Sequence, residues 1–285
     1  MTVTSLLRTP GLARSRRRAS FLTAAALAVV AVAVIAAVFG RLIFPDATHQ
    51  DLLETLAPPG SDGHVLGTDS LGRDILQLTV AGAGSALLGP LVVECGSMLL
   101  AIVLGTLAGY KRGPIDFVLG RVSDLLFALP VVLVALVVGG IFGGGYWMLV
   151  AIFIVLFAPS DLRVVRAGVL EQTPRAYVEA AKLLGYSTWR ILFRHILPNI
   201  RNLVVTEFLL SYAGAILALA SLSYLGIGVS PGAADWGRQL ADGREIMFSN
   251  PAAVVAPMVC VLLVACAVNV LGDAWEARAE REFRG

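Results

Sequence analysis

The sequence predicts an all-α membrane protein with six transmembrane helices, and three observations carry that prediction. Hydrophobic residues make up 57% of the 285 residues and charged residues only 15%, where a soluble domain holds about 25% charged. Apolar runs long enough to cross a bilayer recur along the whole chain. The cations are placed asymmetrically: 18 of the 22 Lys and Arg lie in four segments that alternate with those runs.

Taken in order, residues 1–20 form a basic tail with Arg14, Arg16, Arg17 and Arg18. The apolar run from Phe21 to Phe39 is longer than the core of a secretory signal, and Arg41-Leu42-Ile43-Phe44-Pro45 follows in place of a small-residue cleavage site. It reads as an uncleaved first span, 21–43. Residues 44–82 hold the turn markers Pro58-Pro59-Gly60 and Ser61-Asp62-Gly63. The second span is drawn at 83–110. The third, 116–142, carries Pro130, read as tolerated inside a membrane helix. The fourth, 146–161, is short, and a polar loop, 162–202, follows it. The fifth and sixth spans are 203–228 and 251–274. Residues 21–285 are read as one transmembrane domain.

The tail, the 111–121 turn, the 162–202 loop and the C-terminal segment hold 5, 3, 7 and 3 Lys or Arg. The positive-inside rule places these segments, and both termini, in the cytoplasm. Arg41, Arg73, Arg238 and Arg244 lie on the other side. Cys95, Cys260 and Cys266 sit in apolar runs without metal-ligand spacing and are expected to be small buried hydrophobes.

Within the cytoplasmic loop, 174–198 parses as two short helices. Thr173 is the expected N-cap of the first, Pro174 its first residue, and Gly185 lies just past its end. Ser187 is the expected N-cap of the second, which stops at Pro198. Trp189, Leu192, Phe193 and Ile196 recur at helical spacing and predict one apolar face. A capped, amphipathic, cationic pair between spans is a docking surface or a helix lying on the bilayer.

Glu179-Ala180-Ala181, Gly185 and Ile196-Leu197-Pro198 together resemble the EAA loop of ABC importer permeases. His64-Val65-Leu66-Gly67-Thr68-Asp69-Ser70-Leu71-Gly72-Arg73-Asp74 is similar to a signature of the dipeptide, oligopeptide and nickel permeases, with Val65 where Pro is usual. Ser223 to Gly228, Asp235-Trp236-Gly237 and Asn269 to Asp273 continue the resemblance to the second, C-type membrane subunit. Asp161-Leu162-Arg163 departs from it, standing where that family has an aromatic, Ala and Arg. The C-terminal segment also lacks the family's usual Asp-Pro ending.

The resemblance implies a type I ABC importer permease fold in a bacterial plasma membrane. It implies a di- or oligopeptide cargo, with nickel or a metal chelate as the alternative. It also implies four kinds of partner: a second homologous permease, two ATPase subunits docking on 174–198, an extracytoplasmic binding protein, and membrane lipid. Glu179, Ala180, Ala181, Gly185, Ile196, Leu197 and Pro198 would form the ATPase-coupling element. Ala180 and Ala181 would pack closely in the docking groove, and Glu179 would meet a cation or a cap.

The chain contains no Gly-x-x-x-x-Gly-Lys-Ser/Thr phosphate loop. ATP and Mg are therefore expected on partner subunits, and this subunit is expected to be non-catalytic. No catalytic triad spacing, metal set or nucleic-acid-binding pattern is expected. A stand-alone secondary transporter would predict several charges within the spans.

Glu94, in mid-span, is the ionisable group that stands out. It either lines the translocation path, near a peptide's ammonium, or is a protonated or hydrogen-bonded structural group at a subunit contact. Glu207 reads as an interfacial charge, and Asp116 and Asp124 as partners of nearby arginines.

Overall fold

The longest helix organises everything else. In the computed structural model, which describes residues 10–142 and 145–284 and side chains between 20 and 279, α2 runs Ile75–Lys111. At 37 residues it is roughly 55 Å long. α1 (Pro10–Ile43), α5 (Tyr146–Gln172), α8 (Arg201–Tyr224) and α10 (Ala252–Arg284) pack around it. The arginine-rich tail that precedes the first span lies outside the residues whose side chains are described.

Five apolar clusters of the described residues include α2, and the three largest tie it to the other long helices. Met98 and Ala101 meet Leu162, Val165 and Val169 of α5. Val93 meets Val150 and Phe153 of α5 and Leu219 and Leu222 of α8. Ala83 and Leu87 meet Ala33 of α1, Ile216 of α8 and Val264 of α10. Small residues bring α2 and α5 close: the positions where Gly105 and Gly109 would carry a Cβ are filled by Leu162, Val165, Arg166 and Val169.

Among the described residues, five helices are long and apolar enough to cross a membrane, and a sixth crossing follows if one bent pair counts as a single span. That pair is α3 (Pro114–Phe127) and α4 (Val131–Phe142), which meet at 83°. The expected continuous 116–142 helix is therefore corrected. Pro130 lacks an amide hydrogen and disfavours helical geometry at Leu129, so the span breaks there.

The fourth span is corrected too. α5 does not stop at 161 but continues to Gln172, because its charges find partners. Arg163 donates to Asp124 at 2.7 Å, and Arg166 grips both oxygens of Asp116. The expected pairing of Asp116 and Asp124 is present. α2 begins eight residues before the expected second span, capped by Asp74, which accepts from the Gln77 amide at 2.8 Å.

Cys95 and Cys266 are exposed and Cys260 is half-buried, against the expectation that all three are buried. An apolar side chain in a bilayer need not hide within its own chain, because lipid is as apolar as a core.

Residues 44–74 form an ordered cap at the start of α2, together with α9 (Trp236–Gly243). Asp69 accepts from the amides of Leu71 and Arg73, each at 2.9 Å, and from Arg73 Nε at 2.7 Å. Arg73, 1% exposed, also reaches Asp242, which pairs with Arg238 at 2.8 Å. Asn250 donates to the carbonyls of Leu66 and Thr68, and Trp236 donates to that of Thr79. Gly72 adopts φ +73°, and a Cβ there would run into the Asp51 backbone. The signature motif is thus a structural clasp between the cap, α2 and α9.

Candidate functional site

At the opposite end of α2, the segment after α5 folds into a helical pair. Thr173 closes α5 instead of opening the next helix: its amide and hydroxyl both bond Val169 O. α6 is Ala176–Leu183, with Arg175 at the capping position and no side-chain cap. The expected start at Pro174 is therefore two residues early. α6 ends in a Schellman turn. The Gly185 amide donates to Lys182 O at 3.0 Å and the Tyr186 amide to Ala181 O at 3.1 Å, with Gly185 at φ +73°. Nothing lies within 4 Å of a Cβ at Gly185, so glycine is needed here for backbone geometry and not for space.

Ser187 caps the second helix, accepting from the Arg190 amide at 3.4 Å. That helix, α7, is Thr188–Arg190 continued by a wide π-helical turn, Ile191–Ile196, and a tight turn, Leu197–Asn199, that leads into α8. The wide turn rotates the expected apolar face. Leu192 and Ile196 are buried as expected and Ile191 joins them, Phe193 is partly buried, and Trp189 turns outward at 60% exposed. Trp189 stacks on Phe193 with centroids 4.0 Å apart. A period of 3.6 could not anticipate the π turn.

The pair has two faces. Val178, Ala181, Ile191, Leu192, Ile196 and Ile200 form one cluster with Met98 and Ala101 of α2 and Leu162, Val165 and Val169 of α5. Lys182 lies over the Tyr110 ring of α2 at 5.1 Å. The outer face presents Glu179, Ala180, Leu183, Leu184, Gly185, Trp189, Arg194 and Pro198. Leu183 is 89% exposed and Leu184 70%. Arg190 covers Tyr186 at 4.2 Å, and Tyr186 stacks on His195.

The seven residues singled out in the sequence thus divide. Ala181 and Ile196 face inward and Leu197 is half-buried, while Glu179, Ala180, Gly185 and Pro198 face outward. Ala181 is consumed by the chain's own core, so only Ala180 of the alanine pair is open to a partner. Glu179 makes no ion pair among the described residues. Leu183 and Leu184 were missed because their apolar character gave no reason to place them outside.

Glu94 lies far from this surface. It is fully buried among α2, α5 and α8, with both carboxyl oxygens lacking a hydrogen-bond partner, and its charged neighbours are Asp161 and Glu207. Glu207 is a half-buried member of that group, not an isolated interfacial charge.

The profile of the family described as binding-protein-dependent transport system inner membrane component matches residues 101–284, which include α5, the whole helical pair and α8. The chain belongs to this family. This permease is 35% identical over 245 residues to the glutathione transport system permease protein GsiD of Pectobacterium atrosepticum, covering 86% of this chain and 81% of the relative. It is 34% identical over 246 residues to the di/tripeptide transport system permease protein DppC of Pseudomonas aeruginosa, covering 84% and 81%. Against GsiD of Escherichia coli O157:H7 the identity is 33% over 281 residues, 95% of this chain and 89% of that one. The family and the apolar helices make this a multi-pass inner-membrane protein.

Proposed function

We propose that this permease is one of two membrane subunits of an ATP-driven importer for small peptides, and that α6 and α7 dock it onto an ATPase subunit. The names of its relatives, which carry glutathione and di- or tripeptides, support the cargo class. The observation that carries the docking role is the two-faced helical pair. Its inner face is locked to α2 and α5, while its outer face leaves Leu183, Leu184 and Trp189 in the open beside Arg194.

Exposed apolar groups beside cations suit either a partner protein or a membrane surface. The pair differs from a free surface helix because its buried face is already filled by its own bundle. A push on α6 and α7 is therefore passed to α2 and α5 as one body. The cation distribution supports a cytoplasmic position for the pair and both termini. ATP and Mg would be held on the ATPase subunits, since this chain has no phosphate loop. Nucleotide binding would draw the docked pairs together and tilt α2 and α5. Substrate would then enter from an extracytoplasmic binding protein between this chain and a homologous permease.

The experiment is purification of this chain in mild detergent, identification of what accompanies it, and an ATPase assay on the product. Recovery of a second permease and phosphate-loop ATPases, with hydrolysis stimulated by a peptide-loaded binding protein, is expected. A chain that purifies alone and moves solute in liposomes without ATP contradicts the proposal.

A further inference from the structure

The span interior holds a polar track that the docking role does not use. Asp161 of α5 is fully buried and accepts hydrogen bonds from Ser97 of α2 and from Ser211 of α8, the latter at 2.9 Å. Ser211 also bonds Glu207, one turn away on α8, at 3.4 Å. Glu94 sits one turn from Ser97 on α2 and is fully buried, with neither carboxyl oxygen hydrogen-bonded. Asp161 and Glu207 are the titratable groups that face it, and Ser160 and Ser211 flank Glu207. No Lys, Arg or His forms an ion pair with any of the three carboxyls among the described residues.

Three carboxyls come from three helices, Glu94 and Asp161 fully buried and Glu207 half-buried, and no cation pairs with them among the described residues. An ionised carboxylate with no donor is the costliest state such a site can hold, and like charges nearby raise that cost. We infer that Glu94, Asp161 and Glu207 form a proton-binding site, with the proton resident on Glu94. The carboxylate takes one proton from hydronium, releasing water, and becomes a neutral carboxylic acid with no change of oxidation state. The half-buried Glu207 lies two turns from the α6–α7 end of α8. It is the least buried of the three carboxyls, and Ser211, Asp161 and Ser97 are hydrogen-bonded inward from it to within one helical turn of Glu94, whose own oxygens make no hydrogen bond.

The inference does not rest on the importer reading, and its test uses the purified full-length chain alone in lipid nanodiscs. Infrared spectroscopy at pH 7 is expected to show a protonated-carboxyl band that exchanges slowly in D2O and disappears in Glu94→Gln. If that variant does not fold, glutamate-selective 13C labelling of the Glu207→Gln chain makes the same assignment, because the band should shift with the label. Replacing sodium by choline is expected to leave the band unchanged. Absence of the band at pH 7, its survival in Glu94→Gln, or its dependence on sodium overturns the inference.

Discussion

The two ends of α2 are held by different physics. At its start, the 44–74 cap is fastened by directional polar contacts: Asp69 and Asp242 on Arg73, Asn250 on two carbonyls, and Trp236 on a third. At the other end, the α6–α7 pair is fastened by buried aliphatic side chains. The cap spends its polar groups on itself. The pair keeps its polar and several apolar groups outward. A directional polar network, here left open among the described residues only at Ser61 Oγ, Arg73 Nη1 and Arg238 Nε, fixes one geometry, whereas an apolar anchor with an open outer face can be moved as a block by something bound to it. The difference supports assigning the proposed docking role to the second end.

Breaking each fastening should give unequal losses. Arg73→Met removes the cation from the buried Asp69, which keeps only the amides of Leu71 and of residue 73, while Asp242 retains Arg238; leaving one buried carboxylate without its cation costs about 3–5 kcal/mol. A fall in thermal stability in detergent and a poor folded yield are the expected readouts. Leu192 is fully buried beneath the pair, and Leu192→Ala should cost about 2–5 kcal/mol. The damage should stay local, so protease sensitivity should rise within 173–200 while the cap remains resistant. Gly185→Ala forces a side chain into left-handed geometry for about 1–2 kcal/mol, seen as fraying of α6 in hydrogen exchange.

The smallest effect concerns His64 in the cap. Its ring contacts Asp74 at 2.7 Å and Glu54 at 2.8 Å, and the Asp74 contact, then that of Glu54, raises its pKa above the usual 6.5. The protonated ring is favoured by folding, so this contribution is fully present below about pH 6.5 and is lost as pH rises through the folded pKa. Cap stability, followed by hydrogen exchange, should drop modestly as pH rises above about 6.5 in the wild type and not in His64→Gln.

Much of this was legible in the sequence. Composition and cation placement gave the helical membrane class, and Gly185 and Ser187 marked real turns and caps. The misses share a cause: local pattern cannot see tertiary partners. α5 looked finished at Asp161 because Arg163 and Arg166 are charged, yet Asp124 and Asp116 neutralise them from α3. Pro130 looked tolerable because nothing in the sequence shows whether neighbours take up a broken turn. Trp189 looked buried because the π turn at Ile191 is invisible to a helical period. Asp161 registered only as a departure from a family pattern, and its company with Glu94 and Glu207 required three helices in place.

The central claim is that the outer face of α6 and α7 binds the ATPase, and the most direct measurement is binding of the ATPase subunit to this chain in nanodiscs. Leu183→Glu with Trp189→Glu removes no fully buried side chain and only the Trp189–Phe193 contact, worth about 1 kcal/mol, so the predicted result is a small loss of thermal stability, at least tenfold weaker binding and loss of coupled hydrolysis. Equal changes at Leu53 and Val65 in the cap, which are also exposed, should leave ATPase binding intact. Full-strength binding by the Leu183→Glu, Trp189→Glu chain would contradict the account.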